Sequence, residues 1–277
     1  MSESDHSSHV VTLELVHTLD ETETAVQLSW SEGLKRQEGN PLDVEIKHFE
    51  GAVGFVARNV KTPSFNRVMR VAAEHKDLLE QIVSWYRAQD VVCTIETVPH
   101  LTDAPLLHEL TRLGLAVTEF NTVFYAFPPS DLPPPPTDID VKTYVGDTLE
   151  EFAALYATLF PNLSASKKGA FQQETVARHS LPGWRCYLAW VGGELGAYGR
   201  MYVNGETASF SGAMSLPTFR GRGLQAALLR QRLVEARDLG CNLLVSQAMP
   251  GTTSQRNMER AGFRVAYNKA KWTDLRG

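Results

Sequence analysis

The run Leu216-Pro217-Thr218-Phe219-Arg220-Gly221-Arg222-Gly223-Leu224-Gln225-Ala226 carries a strand-like segment into a helix-like one through a glycine turn flanked by arginines. Gly221 and Gly223 have no Cβ, so the backbone can adopt positive φ and aim successive amides at one small volume where a helix begins. Those amides and the helix dipole favour an anion. Arg220 and Arg222 add charge-assisted hydrogen bonds of the kind that phosphate oxygens accept. The expected ligand is a phosphorylated cofactor, held through its diphosphate.

Neighbouring residues separate the motifs that could produce such a loop. No Gly-Lys-Ser/Thr follows, which excludes a Walker-type loop. Gly221, Gly223 and Ala226 match the spacing of a dinucleotide fingerprint, but that motif needs a buried strand before it and an acidic residue at the end of the next. Residues 208–216 are polar and interrupted by Gly212, and the following strand runs out in Ser246-Gln247-Ala248-Met249-Pro250 without a carboxylate. The segment resembles the GNAT superfamily of acyl-CoA-dependent N-acyltransferases, whose Arg/Gln-x-x-Gly-x-Gly/Ala loop grips the coenzyme A pyrophosphate. Arg220 and Gly223 match it, and Gln225 departs from it.

The order downstream agrees with that resemblance. Ala226, Leu229, Leu233 and Ala236 form an apolar stripe of helical period that stops at Gly240, and Leu243-Leu244-Val245 reads as a buried strand. A second helix is predicted over residues 252–261, and Gly262-Phe263 opens a last strand over 264–272. The resemblance covers residues 137–277. It implies that Ala213, Met214 and Ser215 end a strand that parts from its neighbour, so that its free main-chain groups meet the pantetheine arm and the thioester. Gly212 suits the start of that separation.

In the family the last helix often carries a thiolate-protonating tyrosine four residues before Gly-Phe; here that position is Met258, and Gly251 stands where an asparagine is usual. Ser254 and Asn257 offer polar groups nearby, toward the pantetheine arm, or with Ser254 simply capping the helix. The cofactor-binding candidates are thus Ala213, Met214, Ser215, Arg220, Gly221, Arg222, Gly223, Leu224, Gln225, Ala226, Ser254 and Asn257.

Composition excludes several classes of function. Hydrophobic residues make up 43% and charged residues 21% of the 277, a globular balance with room for two domains. No apolar run reaches the ~18 residues of a membrane span, and the acidic start Met1-Ser2-Glu3-Ser4-Asp5-His6 is unlike a signal peptide. Cys93, Cys186 and Cys241 have neither metal nor redox spacing and read as reduced, buried thiols of a cytoplasmic protein. A formal charge of −5 argues against a dedicated nucleic-acid binder. Basic residues nonetheless gather after Arg220, with Arg230, Arg232 and Arg237 expected on a solvated helix face.

The clearest boundary is Phe127-Pro128-Pro129-Ser130-Asp131-Leu132-Pro133-Pro134-Pro135-Pro136, whose prolines favour a stiff polyproline II spacer. It divides residues 1–127 from 137–277, with 128–136 as linker. Before it, residues 77–89 read as a helix, 91–98 as a strand, 105–113 as a helix and 116–127 as a strand. This order repeats the end of the second half at a period of about 150 residues, Gly114-Leu115 answering to Gly262-Phe263. Residues 63–70, where a cradle would lie, contain no glycine. The fold expected is α/β (α+β, mixed sheet) with two tandem GNAT-like domains, the first degenerate and without coenzyme A; the alternative is an unrelated first domain.

The resemblance implies transfer of an acetyl group from acetyl-CoA to a primary amine of a small molecule or peptide, by a monomer or homodimer. A mycothiol-synthase-like acetyltransferase and a catalytically silent acyl-CoA-binding module are the alternatives. No catalytic acid or base emerges: all eight histidines lie at or before His179. Glu194 and Glu206 fall in hairpin turns, and Tyr267 is either a core residue or a donor to the thiolate.

Overall fold

A computed structural model of the chain describes residues 10–276 except Lys61, Pro63, Pro133 and Pro135. The expectations for Met1 to His6 and for a polyproline path through Pro133 and Pro135 therefore lie outside the described residues. The elements are α1 (Leu13–Lys35), β1 (Val44–Phe49), β2 (Ala52–Ala57), β3 (Arg67–Val71), α2 (Leu79–Arg87), β4 (Thr94–Thr97), α3 (Ala104–Arg112) and β5 (Leu115–Ala126) in the first half. The second half has β6 (Ile139–Tyr144), α4 (Leu149–Thr158), α5 (Ala165–Arg178), β7 (Trp184–Val191), β8 (Glu194–Asn204), β9 (Thr207–Phe210), β10 (Ala213–Ser215), α6 (Leu224–Asp238), β11 (Leu243–Ala248), α7 (Thr253–Arg260) and β12 (Arg264–Asp274). No helix among the described residues is long and apolar enough to cross a membrane.

The repeated order has a local cause in each half. Asp103 caps α3 by accepting from the Leu106 amide at 2.9 Å, and Thr252 caps α7 by accepting from Gln255. Gly114 (φ +87°) and Gly262 (φ +90°) then turn each helix into its last strand.

Those last strands are exchanged between the halves. All strands join one mixed sheet in the order β1-β2-β3-β4-β12-β5-β11-β9-β8-β7-β6, with β10 on β8. β12 thus lies between β4 and β5 of the first half, while β5 lies between β12 and β11. Side chains fix the exchange: Lys269 of β12 donates to Glu96 of β4 at 2.8 Å and to Glu23 of α1 at 2.9 Å, all three buried. Trp272 Nε1 donates to Thr97, and Arg87 pairs with Asp274 at 2.6 Å.

Helices cover both faces. Against α6 and α7, Leu224, Leu228, Leu233, Met258 and Phe263 pack with Tyr187, Met201, Phe210 and Leu244. On the other face α4 packs Phe152 and Tyr156 on Leu188 and Tyr198, and α1 lays Val16 and Leu19 on Val123, Val245 and Tyr267. α1 also closes on α5, where Gly33 fits because a Cβ would fall 2.2 Å from the Ala177 carbonyl oxygen. A helix of the first half therefore roofs part of the second.

Four details differ from the sequence reading. Ala226 is exposed, and the buried face of α6 runs through Leu224, Ala227, Leu228, Leu229, Leu233 and Ala236. Arg232, expected on a solvated face, is 0% exposed; it donates to the carbonyls of Leu228 and Arg200 and stacks on Phe210. Ser254 does not cap α7, because Thr252 does. Residues 67–70, read as loop, belong to β3, so the first half's counterpart of the cradle is the 3-10 turn Ala73–Leu78, which has no glycine either.

Candidate functional site

Gly221 (φ +76°) and Gly223 (φ +82°) both hold left-handed backbone, and Gly223 is the N-cap residue of α6. A non-glycine residue at either position would be strained by about 1–2 kcal/mol. The turn is entered by the 3-10 segment Pro217–Phe219, in which the Phe219 amide bonds the Leu216 carbonyl at 2.9 Å. The helical ladder starts with Ala227, whose amide donates to the Gly223 carbonyl at 3.0 Å. The amides of Leu224, Gln225 and Ala226 precede it and have no intrahelical acceptor.

No acidic residue occupies the first turn of α6. Arg220, Gly221, Arg222 and Gly223 are exposed, Arg222 lies over the Phe219 ring at 5.3 Å, and a Cβ at Gly221 would meet nothing within 4 Å. Such an open nest of amides at a positive helix end can hold a diphosphate. A cleft of about 230 Å³ beside it, between β6 and α6, is lined by Ile139, Ala227 and Arg230 among others.

The sheet opens next to this loop. β9 pairs with β8 on one side and with β11 on the other, as far as Phe210 and Ser246; beyond Ser211 and Gly212 (φ +57°), β10 stays on β8 and, among the described residues, has no partner strand on the β11 side. One edge of β10 thus faces away from the ladder, beside the last residues of β11. Gln225 reaches back over this edge and donates to Ser215 Oγ at 3.0 Å. Its side chain therefore ties the helix start to the strand.

Behind β8, on the face away from α6, lies an aromatic cluster that the sequence did not suggest. Tyr156 meets Tyr198 edge-on at 4.7 Å between ring centroids, His179 packs on Trp184 at 4.8 Å, and Trp30 of α1 stacks beside Trp184, whose Nε1 donates to Ser29. Arg200 sits among them, 7% exposed. Its guanidinium carbon is 5.3 Å from the Tyr198 ring, 5.5 Å from Trp30 and 5.9 Å from Tyr156.

Burial, and secondly the Arg200 charge, hold the His179 pKa well below its usual value, so the ring is neutral. Its Nδ1 donates to the Thr175 carbonyl at 2.7 Å, leaving Nε2 as an acceptor toward Arg200 Nη1 at 3.5 Å. Arg178 pairs with Glu174 and covers Trp30 at 4.3 Å; burial pushes it down to about 10. The signal that could have pointed to this cluster is an arginine inside an apolar strand rich in glycine, Gly196-Ala197-Tyr198-Gly199-Arg200, which the sequence reading passed over.

The expected site residues divide into two groups. Ala213, Met214, Ser215, Arg220, Gly221, Arg222, Gly223, Leu224, Gln225 and Ala226 come together at the α6 end of the opening. Ser254 (exposed) and Asn257 (half-buried) sit on α7, which packs on β11, and no hydrogen bond among the described residues ties either to the loop. Met258 is buried in the α6–α7 core, so that position presents no proton donor. Tyr267 is buried as well; burial, and after it the carboxylates Glu23, Asp20 and Glu96, push its phenol far up, and it stays protonated. Glu206 lies in an exposed turn as expected, whereas Glu194, also exposed, is the first residue of β8 and pairs with Val191; Cys93, Cys186 and Cys241 are free and buried.

Residues 149–263 match the model of the Acetyltransferase (GNAT) family. No curated protein matches the chain. Among solved structures, a GCN5-related N-acetyltransferase from Kribbella flavida aligns over 91% of this chain and 95% of its own at 17% identity, with a TM-score of 0.65. A tandem GNAT protein from the clavulanic acid biosynthesis pathway aligns over 92% and 94% at 16% identity (TM-score 0.58). A GCN5-related N-acetyltransferase from Sphaerobacter thermophilus aligns over 93% and 92% at 16% identity (TM-score 0.55). At these identities the similarity concerns the fold.

Proposed function

From a GNAT-family domain at residues 149–263, set in a fold shared with a tandem GNAT protein, we propose that the chain is an N-acetyltransferase that uses acetyl-CoA and a small primary amine. The observation that carries this reading is the pair of left-handed glycines opening α6 beside the point where β10 leaves β11. The amides of residues 221–226 would hold the diphosphate, with Arg220 and Arg222 at its rim. The free edge of Ala213, Met214 and Ser215 would run along the pantetheine arm, with Ser254 and Asn257 as candidates from α7. Bound there, acetyl-CoA supplies an acyl group activated as a thioester.

This chain's residues then contribute position and polarity. Main-chain donors on the free edge of β10 can stabilise negative charge that develops on a carbonyl oxygen, as oxyanion holes do. Holding the amine against the opening makes the encounter effectively intramolecular. We assign no general base, because His179 has both ring nitrogens engaged. Loss of the amine proton, and return of a proton to the leaving thiolate, are both left to water at the opening.

A second reading, an acyl-CoA-binding module without turnover, draws on Met258, buried where relatives often carry a proton donor. Thiol release from acetyl-CoA, measured against a panel of amines, separates the two. Release that depends on an amine supports transfer. Tight binding with release at the rate of background hydrolysis for every amine supports the silent module.

A further inference from the structure

Arg200 is a buried charge without a carboxylate partner: it is 7% exposed, yet among the described residues no carboxylate lies within 4 Å of it. Burying an unpaired cation costs several kcal/mol, which an arriving counter-charge would offset. Its hydrogen bonding is also incomplete: Nη1 has only the long contact to His179 Nε2, and buried Nε has no partner. Two other buried polar atoms around it are likewise unpartnered. One is the Oγ of Ser211, whose amide bonds the Arg200 carbonyl; the other is Nε1 of Trp30, whose ring lies 5.5 Å from the guanidinium.

Strand alternation places this cluster opposite the diphosphate cradle. Gly199 and Met201 face α6, against Arg232 and in the α6–α7 core respectively, so Arg200 with Tyr198 and Tyr202 faces the other way, toward α1, α4 and α5. The cofactor phosphates are therefore not its counter-ion. On the side of the strand opening the guanidinium is roofed by exposed Gly212, where a Cβ would fall 2.3 Å from Nη2 and 3.0 Å from Nε. Arg178 offers no alternative site because Glu174 neutralises it, and Arg232, also without a carboxylate, is 0% exposed and out of reach.

We propose that Arg200, with Ser211 and Trp30, forms an oxyanion subsite in the acceptor pocket, and that the acceptor amine carries a carboxylate. This rests on the acetyltransferase reading for the word acceptor, but not for the anion site. The Nε–Nη2 edge is the edge of a guanidinium that pairs side-on with a planar carboxylate; here Nε has no acceptor, and Gly212, packed over this edge, must shift for the anion to seat. The rings of Tyr156, Tyr198 and Trp30 around it suit an acceptor with an apolar body between the two groups.

Two measurements test it and separate it from the transfer reading. In the first, benzoate and its uncharged isostere benzamide are titrated calorimetrically into protein saturated with coenzyme A. Benzoate is expected to bind at least about tenfold more tightly than benzamide, a preference lost in Arg200→Gln and partly kept in Arg200→Lys. Coenzyme A affinity serves as the check on folding. Equal binding of the two probes, no binding of either, or unchanged benzoate affinity in folded Arg200→Gln would overturn the subsite.

In the second measurement, thiol release from acetyl-CoA is compared for amino acids and their amides. Faster release with the free acids, lost in Arg200→Gln, is expected. Amide and acid reacting alike would overturn the subsite while leaving acetyl transfer intact. Benzoate binding that depends on Arg200, with no amine turned over, would sink the transfer reading and leave the anion site standing.

Discussion

The Cα of Gly212 rests so close over the guanidinium of Arg200 that a Cβ at position 212 would fall 2.3 Å from Arg200 Nη2. One glycine thereby serves two ends. Its left-handed φ of +57° lets β10 leave the β9–β11 ladder, and its missing side chain makes room for a buried cation at that opening. The division of the sheet and the unpaired charge behind it are thus a single local device.

Gly212→Ala adds a Cβ that strains the backbone by about 1–2 kcal/mol and must also displace Arg200. Urea unfolding is expected to show a loss of about 2 kcal/mol or more, together with a weakened preference for benzoate over benzamide. A variant as stable as the parent, with that preference intact, would contradict the arrangement.

The exchanged strands make each half incomplete. Residues 137–277 alone lack β5, the strand between β11 and β12, and leave buried Lys269 without Glu23 and Glu96. Breaking a buried pair by removing one partner costs about 3–5 kcal/mol. Expressed alone, this half is expected to show no cooperative thermal transition by circular dichroism. A sharp transition would mean that the exchange is dispensable.

The pH dependence of stability should carry the signature of α1. Glu96 accepts from both Lys269 and Arg67; burial alone would raise its pKa, but these two cations outweigh it and hold the carboxyl well below the usual range. Glu23 has only Lys269, and its Oε1 has no partner, so burial pushes it up to about 7 from 4.5. Burial likewise pushes Asp20 up to about 6 from 3.8.

A carboxyl raised in the native state stabilises it fully below the unfolded value, and that contribution is lost as pH climbs through the native value. The raised carboxyls should therefore add about 1–3 kcal/mol of stability as pH falls from 7.5 toward 5, while His179, neutral in the native state and protonated once unfolded, works in the opposite direction below its usual value. Glu23→Gln removes one carboxyl and leaves His179 in place, so the advantage of the wild type over this variant, read from urea midpoints, should grow as pH falls. A difference that stays constant or shrinks over that interval would contradict this assignment.

What the sequence disclosed was local. Gly221, Gly223, Gly114 and Gly262 mark turns that only positive φ allows, and the helices and strands around them have regular apolar spacing. α1 escaped notice because it buries Asp20, Thr22, Glu23, Thr24, Gln27, Ser29 and Ser31, so its inner face carries little apolar period. The strand exchange was invisible because pairing between β12 and β4 is decided by contacts such as Lys269 with Glu96, 173 residues apart. Arg232 was misjudged and Arg200 missed for one shared reason, since arginine is rarely buried without a carboxylate and, among the described residues, neither has one. Ser254 lost the cap to Thr252 by two residues, within the usual uncertainty of helix ends.

Calorimetric titration of acetyl-CoA into the wild-type chain and into Gly223→Val bears most directly on the cradle. Valine at 223 would strain a φ of +82° and bring its Cβ within 3.3 Å of Ile139 Cδ1, closing the turn while leaving the buried face of α6 untouched. The expected result is a single site in the wild type and a loss of at least about 100-fold in affinity in a variant that still unfolds cooperatively, as befits several charge-assisted bonds removed together. A wild-type chain that takes up no acetyl-CoA, or a folded Gly223→Val that binds it equally well, would contradict the cofactor site proposed for this loop.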